Sequence, residues 1–470
     1  MRSPEDGTIG VDVDVPADNL RDNTHSVLVP GLTPLRRYTY RVARTADGQP
    51  LGGGSFETAP ADHDATPGTF SFAFMSCHQP FNSPDGTLSE RAMRMLRLAP
   101  AVLRRHDAKF AIVCGDQIYA DAPGTYSLFD PHYTNTKVHP GGGSILDWPA
   151  ADVRRAYHQH YRTYWAMTQI RHLYANYPSY PILDDHEILD DWGSDPNHLT
   201  PRYADLRAGA LRAYWDYQGS RVGAPADAPP PSLHYSFDYG NVAVFVMDIR
   251  SERDITAGRL YGDQQLADLQ AFLAAHTEAA GWRALFLVVS VPVFHMPEWL
   301  ADVGAAVVGG KVDFPDHWAH RPNRPARDRL LELLFRHQEQ NPLQRLAILS
   351  GDVHIGVGFA VHWKGGSKPI LYQLTSSAIS NRLKRPEAFF SKIAPGLEQP
   401  IDCDWDGSAR VRLLGTKGEE TPPHNPFGGL NVGIVEVRDR GDHSTIRFKL
   451  VGYPAGHELE DADMFDSGEL

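Results

Sequence analysis

Cysteine is scarce: three residues, Cys77, Cys114 and Cys403, in a chain of 470. So few thiols cannot build a disulfide framework for a chain of this length, which leaves each one to ligate a metal or to pack. Long apolar runs are missing as well. The longest, around 284–294, is about half of the roughly 18 residues that a membrane helix needs, so a membrane span is excluded. Basic residues are outnumbered, 45 Lys and Arg against 58 Asp and Glu, for a net charge of −13. That balance excludes general nucleic-acid binding, which needs a basic surface, although a few local cations suffice to hold a phosphate. The chain opens with neither a signal-peptide apolar core nor an Arg-Arg export motif, and read literally it is cytoplasmic. Internal repeats, long charged tails and any oligomerisation signal are absent too.

What is present reads as globular. Hydrophobic residues make up 42% of the chain, and its length allows two or more domains. Residues 1–60 differ from the rest. Strand-like alternation appears at 9–15, 26–29, 38–42 and 54–58, split by Pro- and Gly-containing turns. This predicts a partial, immunoglobulin- or fibronectin-like β-sandwich, short of the roughly seven strands of a complete one. The domain looks truncated at its start, and a lost leader would make the protein secreted or periplasmic. A linker rich in Ala, Asp and Pro leads to a second domain over 69–470, where strands alternate with amphipathic helices in an α/β pattern. Helices are expected at 89–106, 152–174, 202–217, 263–276 and 326–337.

Four apolar runs end abruptly in metal-ligand residues. Phe70–Met75 leads into Ser76-Cys77-His78, and Phe110–Cys114 into Gly115-Asp116-Gln117-Ile118-Tyr119-Ala120-Asp121. Tyr180–Leu183 leads into Asp184-Asp185-His186-Glu187, and Leu346–Leu349 into Ser350-Gly351-Asp352-Val353-His354. Such runs read as buried strands of an α/β sheet, and ligands bind where the carboxyl ends of those strands open. A two-metal hydrolase needs a group that touches both cations, and a carboxylate such as Asp116 can do so. Tyr119, one helical turn on, falls on the same side. A phenolate and the Cys77 thiolate suit a ferric ion, with His354 in reach. Asp185 and Asp352 are hard oxygen ligands for a second cation.

These blocks, with Met247-Asp248-Ile249-Arg250, resemble in order and spacing the motif series of alkaline phosphatase D-like metallophosphatases over roughly residues 70–380. The β-rich start resembles the second half of that family's N-terminal domain. The resemblance implies a calcineurin-like metallophosphoesterase fold, a four-layer α/β/β/α sandwich. It implies Fe3+ with one or two Ca2+ and hydrolysis of phosphate mono- or diesters, the substrate being a small phosphate ester. Carried over by position, Cys77, Asp116, Tyr119 and His354 hold iron, Asp116 bridging, while Asp185 and Asp352 stand at second-metal positions. Some members place asparagines where this chain has Asp190 and Asp191, which would add negative charge.

The mechanism expected is in-line attack on phosphorus by a metal-bridging hydroxide. His186, facing the substrate, protonates the leaving oxygen, and Arg250 grips a phosphate oxygen. Two other readings compete: a dinuclear Zn2+ or Mn2+ hydrolase in which Cys77 and Tyr119 are structural, and a non-catalytic metal-dependent binding module. Bland readings stand beside several residues. Asp beside Gly also caps turns, and free Cys is often merely buried, as Cys114 within its apolar run should be. Arg250 also suits a structural ion pair with Asp248 or Glu252. Asp248 and His295 are weaker site candidates. His158 and His160, in an aromatic helix, read as packing.

Overall fold

The computed structural model describes residues 13–453 and 461–470, apart from 64–65, 84, 123–125, 135–137, 139–141, 223–227, 303–313, 365, 367–368, 382–398, 404–406 and 416–423. The expected strand at 9–15 therefore lies mostly outside the described residues. Of the early strands, β1 (Arg37–Ala43) and β2 (Pro50–Glu57) pair antiparallel as a hairpin. The stretch 26–29 pairs with no described strand, and Leu28 stays exposed. Alternation alone does not make a strand; a neighbouring edge must accept its backbone groups.

Two larger sheets follow. The first holds β3 (Thr69–Met75), β4 (Ala108–Cys114) and β5 (Ser179–Ile182) side by side and parallel. The second contains β6 (Tyr235–Tyr239), β7 (Val242–Val246), β8 (Ala284–Val288), β9 (Arg345–Ser350), β10 (Val357–Trp363), β11 (Leu371–Thr375), β12 (Gln399–Cys403) and β13 (Gly407–Leu413). The last three strands, β14 (Val432–Asp439), β15 (Ser444–Gly452) and β16 (Ala462–Glu469), return to the first sheet and extend it beyond β3. The strand orders are β16-β15-β14-β3-β4-β5 and β12-β13-β10-β11-β9-β8-β7-β6.

Period-two patterning assigns the second sheet to two cores. Val242, Val244, Val246, Phe286 and Val288 belong to one apolar cluster, whereas Ala243, Phe245, Leu285 and Leu287 belong to another. Phe286 from β8 meets Phe72 from β3 edge-on, ring centroids 5.2 Å apart, so the sheets pack face to face. The other face of the second sheet buries Leu269 and Phe272 of the helix Asp263–Ala275 and Leu330 and Leu334 of the helix Arg324–Gln340. The helix Met93–Arg105 buries Leu96, Ala99, Val102 and Leu103 in the cluster that holds the first sheet. The helix expected at 152–174 divides into Ala150–Trp165 and Thr168–Asn176, because Met167 is extended at ψ 130°. No described helix is long and apolar enough to cross a membrane.

This topology positions a site. The parallel strands β3, β4 and β5 of one sheet and β8, β9 and β11 of the other carry their polar extensions at their carboxyl ends.

Candidate metal centre

Two glycines let the strand ends close on one another. A side chain on Gly115, whose φ is +85°, would collide with Asp184; one on Gly351 would collide with Ser76 and the Cys114 carbonyl. The Glu187 carboxylate then ties the β4 turn to the β5 turn. It accepts the backbone N–H of Asp116 (3.0 Å), Gln117 (2.6 Å) and Asp184 (2.8 Å). Cys77, Asp116, Asp352 and His354 all adopt left-handed backbone, with φ of 58°, 56°, 65° and 55°. Each such residue costs on the order of 1 kcal/mol.

The side chains converge. Donor atoms of Cys77, Asp116 and His354 lie within 4.8 Å of one another, as do those of Asp116, Asp184, Asp185 and Asp352, and of Asp116, Asp185 and His186. Asp116 belongs to all three groups, as a bridging carboxylate must. The Tyr119 hydroxyl donates to Asp116 Oδ2 at 2.9 Å and sits 3.0 Å from His354 Nε2. Cys77 Sγ is 3.4 Å from that same Asp116 oxygen. Cys77 and Tyr119 thus meet at one oxygen of Asp116, the same residue around which Asp184, Asp185 and Asp352 gather.

The electrostatics show what this set lacks. Burial, reinforced by their neighbours' negative charge, pushes the Asp352 and Cys77 acids well above their ordinary values. Asp116 is raised too, chiefly by burial, with only His186 opposing. Asp116 Oδ1, Asp184 Oδ2 and Asp352 Oδ2 are buried without a hydrogen-bond partner. Among the described residues, no Lys or Arg pairs with Asp116 or Asp352; of this set Arg250 meets Asp184 and, at 3.6 Å, Asp185. Orphaned carboxylate oxygens of this kind normally cost several kcal/mol and are offset by a cation. The donor set fits bound metal: thiolate, phenolate and imidazole at one corner suit iron, and carboxylates at the other suit a hard divalent ion.

His186 lies beside this set, its ring centroid 4.0 Å from that of Tyr119. Its Nδ1 is 2.7 Å from Asp121 Oδ1 and its Nε2 is 3.6 Å from Asp190 Oδ1. Burial works against its charge, yet Asp185, Asp121 and Asp116 together hold the imidazolium well above its usual range. Arg250 departs from the sequence reading, which has it gripping phosphate. Its guanidinium is 0% exposed, with Nε 2.5 Å from Asp184 and its two terminal nitrogens 2.5 and 2.7 Å from Asp316. Those donors are spent inside the protein, so Arg250 braces the β5 turn through Asp184 rather than meeting substrate. Its partners are Asp184 and Asp316, not Asp248 or Glu252.

The weaker candidates resolve toward the bland side. Asp248 accepts the N–H of Leu233, Arg250 and Ser251, the task of a turn cap. Cys114 packs in the core. His158 pairs with Asp216 at 2.8 Å, and His295 stacks on His317 with centroids 5.3 Å apart. His160 does more than pack: its Nε2 sits 2.9 Å from the Tyr119 carbonyl, propping the segment that carries Tyr119. Asp190 N–H donates to Asp121, and Asp191 N–H to Asp185 Oδ2 at 2.6 Å. Sequence reasoning overlooks Asp121 and Glu187, although both lie inside the quoted blocks. It also overlooks Ser377 and Asn381, whose Nδ2 lies 3.1 Å from His354 Nε2. Both follow β11, a fifth apolar run that ends in polar residues at the same edge.

Comparison with known proteins bears on family and fold. The family model described as PhoD-like phosphatase matches residues 72–392. Alkaline phosphatase D of Bacillus subtilis (strain 168) is 24% identical over 360 residues, covering 72% of this chain and 54% of that protein. The chain thus spans about half the length of this curated relative. The solved structure of PhoD aligns with a TM-score of 0.60 at 18% identity, over 92% of this chain and 74% of that one, which is a likeness of fold.

Proposed function

This chain belongs to the PhoD-like phosphatase family, and from that premise we propose that it is a metal-dependent phosphoric ester hydrolase acting on small phosphate monoesters, diesters or both. One observation carries the reading: Asp116 and Asp352 each keep a buried carboxylate oxygen without a protein partner, and Asp116 gathers with Cys77 and His354 on one hand and with Asp184, Asp185 and Asp352 on the other. In this reading Cys77, Asp116, Tyr119 and His354 hold Fe3+, and Asp116, Asp185 and Asp352 hold Ca2+. Ions held there would supply an acidified water and would neutralise the charge that builds on the phosphoryl oxygens.

The protein's own residues do the rest. Asp116 spans the two halves of the donor set, so it fixes their separation. His186, whose charged form Asp185, Asp121 and Asp116 favour, gives its proton to the leaving oxygen as the ester bond breaks. Asp121 holds Nδ1, so the proton would be given from Nε2, which lies 3.6 Å from Asp190 Oδ1. The reading includes a four-layer α/β/β/α arrangement and a domain boundary between 60 and 69, the hairpin β1–β2 belonging to a separate, partial β-sandwich.

The test joins metal analysis to turnover. Protein purified without chelator should carry iron and calcium and hydrolyse p-nitrophenyl phosphate or bis-p-nitrophenyl phosphate, with activity lost on chelation and regained on adding both ions. A colourless protein that turns over only with added Zn2+ or Mn2+ would replace the iron–calcium assignment. Metal-loaded protein inert toward both esters would overturn the hydrolase reading.

A further inference from the structure

One neutral side chain touches two of the segments that carry donors. Ser377 follows β11 and is fully buried. Its Oγ accepts the backbone N–H of His354 at 3.0 Å and lies 3.0 Å from Cys77 Sγ. A serine hydroxyl has a single proton, and a backbone N–H can only donate. The proton of Ser377 is therefore left to point at sulfur, the acceptor recorded for it among the described residues.

The surroundings keep it there. Asn431 Nδ2 donates to the Ser377 carbonyl at 2.8 Å, and Asn431 Oδ1 accepts from Ser376 Oγ at 2.9 Å. Ser376 N–H in turn donates to the Ser350 carbonyl at 3.1 Å, at the end of β9. Ser76 makes an informative contrast. Its Oγ is 3.2 Å from the same sulfur but has a second acceptor, the Ser376 carbonyl, at 3.3 Å. Its proton is shared, whereas that of Ser377 is committed.

We propose that Ser377 is a positioning residue of the metal centre, which links the His354 segment to Cys77 and places a hydrogen-bond donor on the Cys77 sulfur. A donor on sulfur draws electron density from it, orients its lone pairs and weakens its donation to a cation, and such contacts tune the potential of the ion. The inference rests on the iron–thiolate reading above.

Metal content, visible absorption and the ferric/ferrous reduction potential of wild type, Ser377→Ala and Ser76→Ala test it. Ser377→Ala should keep its iron while its sulfur-to-iron charge-transfer absorption moves to longer wavelength and its potential becomes more negative; Ser76→Ala should move both less. Iron-loaded Ser377→Ala with the wild-type band and potential overturns the proposal. Should Ser377→Ala not fold or not load, resonance Raman of the wild type decides: the Fe–S stretch should shift after refolding in D2O, and an unshifted stretch overturns it. Wild type without iron would sink the iron reading itself, and this proposal with it, and metal analysis identifies that case before any variant is made.

Discussion

Two buried clusters of charge lie side by side at the strand ends, and only one of them is balanced. In the first, Arg250 and Arg253 face Asp184 and Asp316, with Arg253 2.9 Å from Asp316. Although burial opposes its ionisation, these two guanidinium groups hold the Asp316 carboxyl well below its usual range. In the second, Cys77, Asp116, Asp185 and Asp352 gather with one peripheral contact from Arg250, and the acids of Cys77, Asp116 and Asp352 are driven upward. The residue types, the burial and the address in the fold are alike. Where the chain supplies the counter-charge, it has built a brace; where it withholds it, it has built a place for an ion.

The largest effect should come from breaking the unbalanced cluster. Asp116→Asn removes the carboxylate shared by the Cys77, Asp352 and His186 donor groups and should lower kcat/KM toward bis-p-nitrophenyl phosphate by at least about 100-fold, since bridged ions contribute several kcal/mol. Steady-state kinetics at matched metal loading checks this. Next, Arg250→Met removes one of the two counter-charges from the balanced cluster, the one that meets Asp184, and should cost roughly 3–5 kcal/mol of stability, read from denaturant midpoints, because it strands that buried carboxylate.

A sharper contrast comes from metal-stripped protein. There Asp352→Asn should raise the melting midpoint by relieving repulsion, by the equivalent of about 1 kcal/mol, whereas Asp316→Asn should lower it. Equal signs for the two variants would erase the distinction drawn here.

A further effect is one of pH. Burial pushes His317, which adjoins the balanced cluster, down to about 4, and takes His295 lower still. Above about 6.5, the ordinary histidine value, both states are neutral and neither residue contributes a slope. As pH falls from there toward 4, the unfolded chain takes up protons that the folded one refuses. Stability is then lost at no more than about 1.4 kcal/mol per pH unit for each histidine. Denaturant midpoints measured across this window should flatten in His317→Gln relative to wild type.

Much of this layout is legible in the chain before any coordinates. Strands β7 and β8 read as unbroken apolar runs because both their faces are buried, and the four ligand blocks announce themselves where such runs stop. What stays hidden depends on partners far away in sequence. Arg250 looks like a phosphate clamp until Asp316, 66 positions on, is found against it in a segment without periodicity. Ser377 carries no pattern of its own; its meaning comes from Cys77, 300 positions earlier. Met167 looks helical by composition, yet its backbone is extended and splits the run. At 26–29 the reverse holds: alternation is present and no described strand pairs with it.

The left-handed backbone at Cys77, Asp116, Asp352 and His354 has a consequence for anyone altering this protein. Glycine at any of these four positions would sit more comfortably than the residue found there, so screening for heat tolerance without an assay of turnover will be drawn to these codons. Under the ligand assignment proposed above, the variants that gain stability at these codons would be the ones disarmed, and an engineering campaign would freeze these positions before it begins.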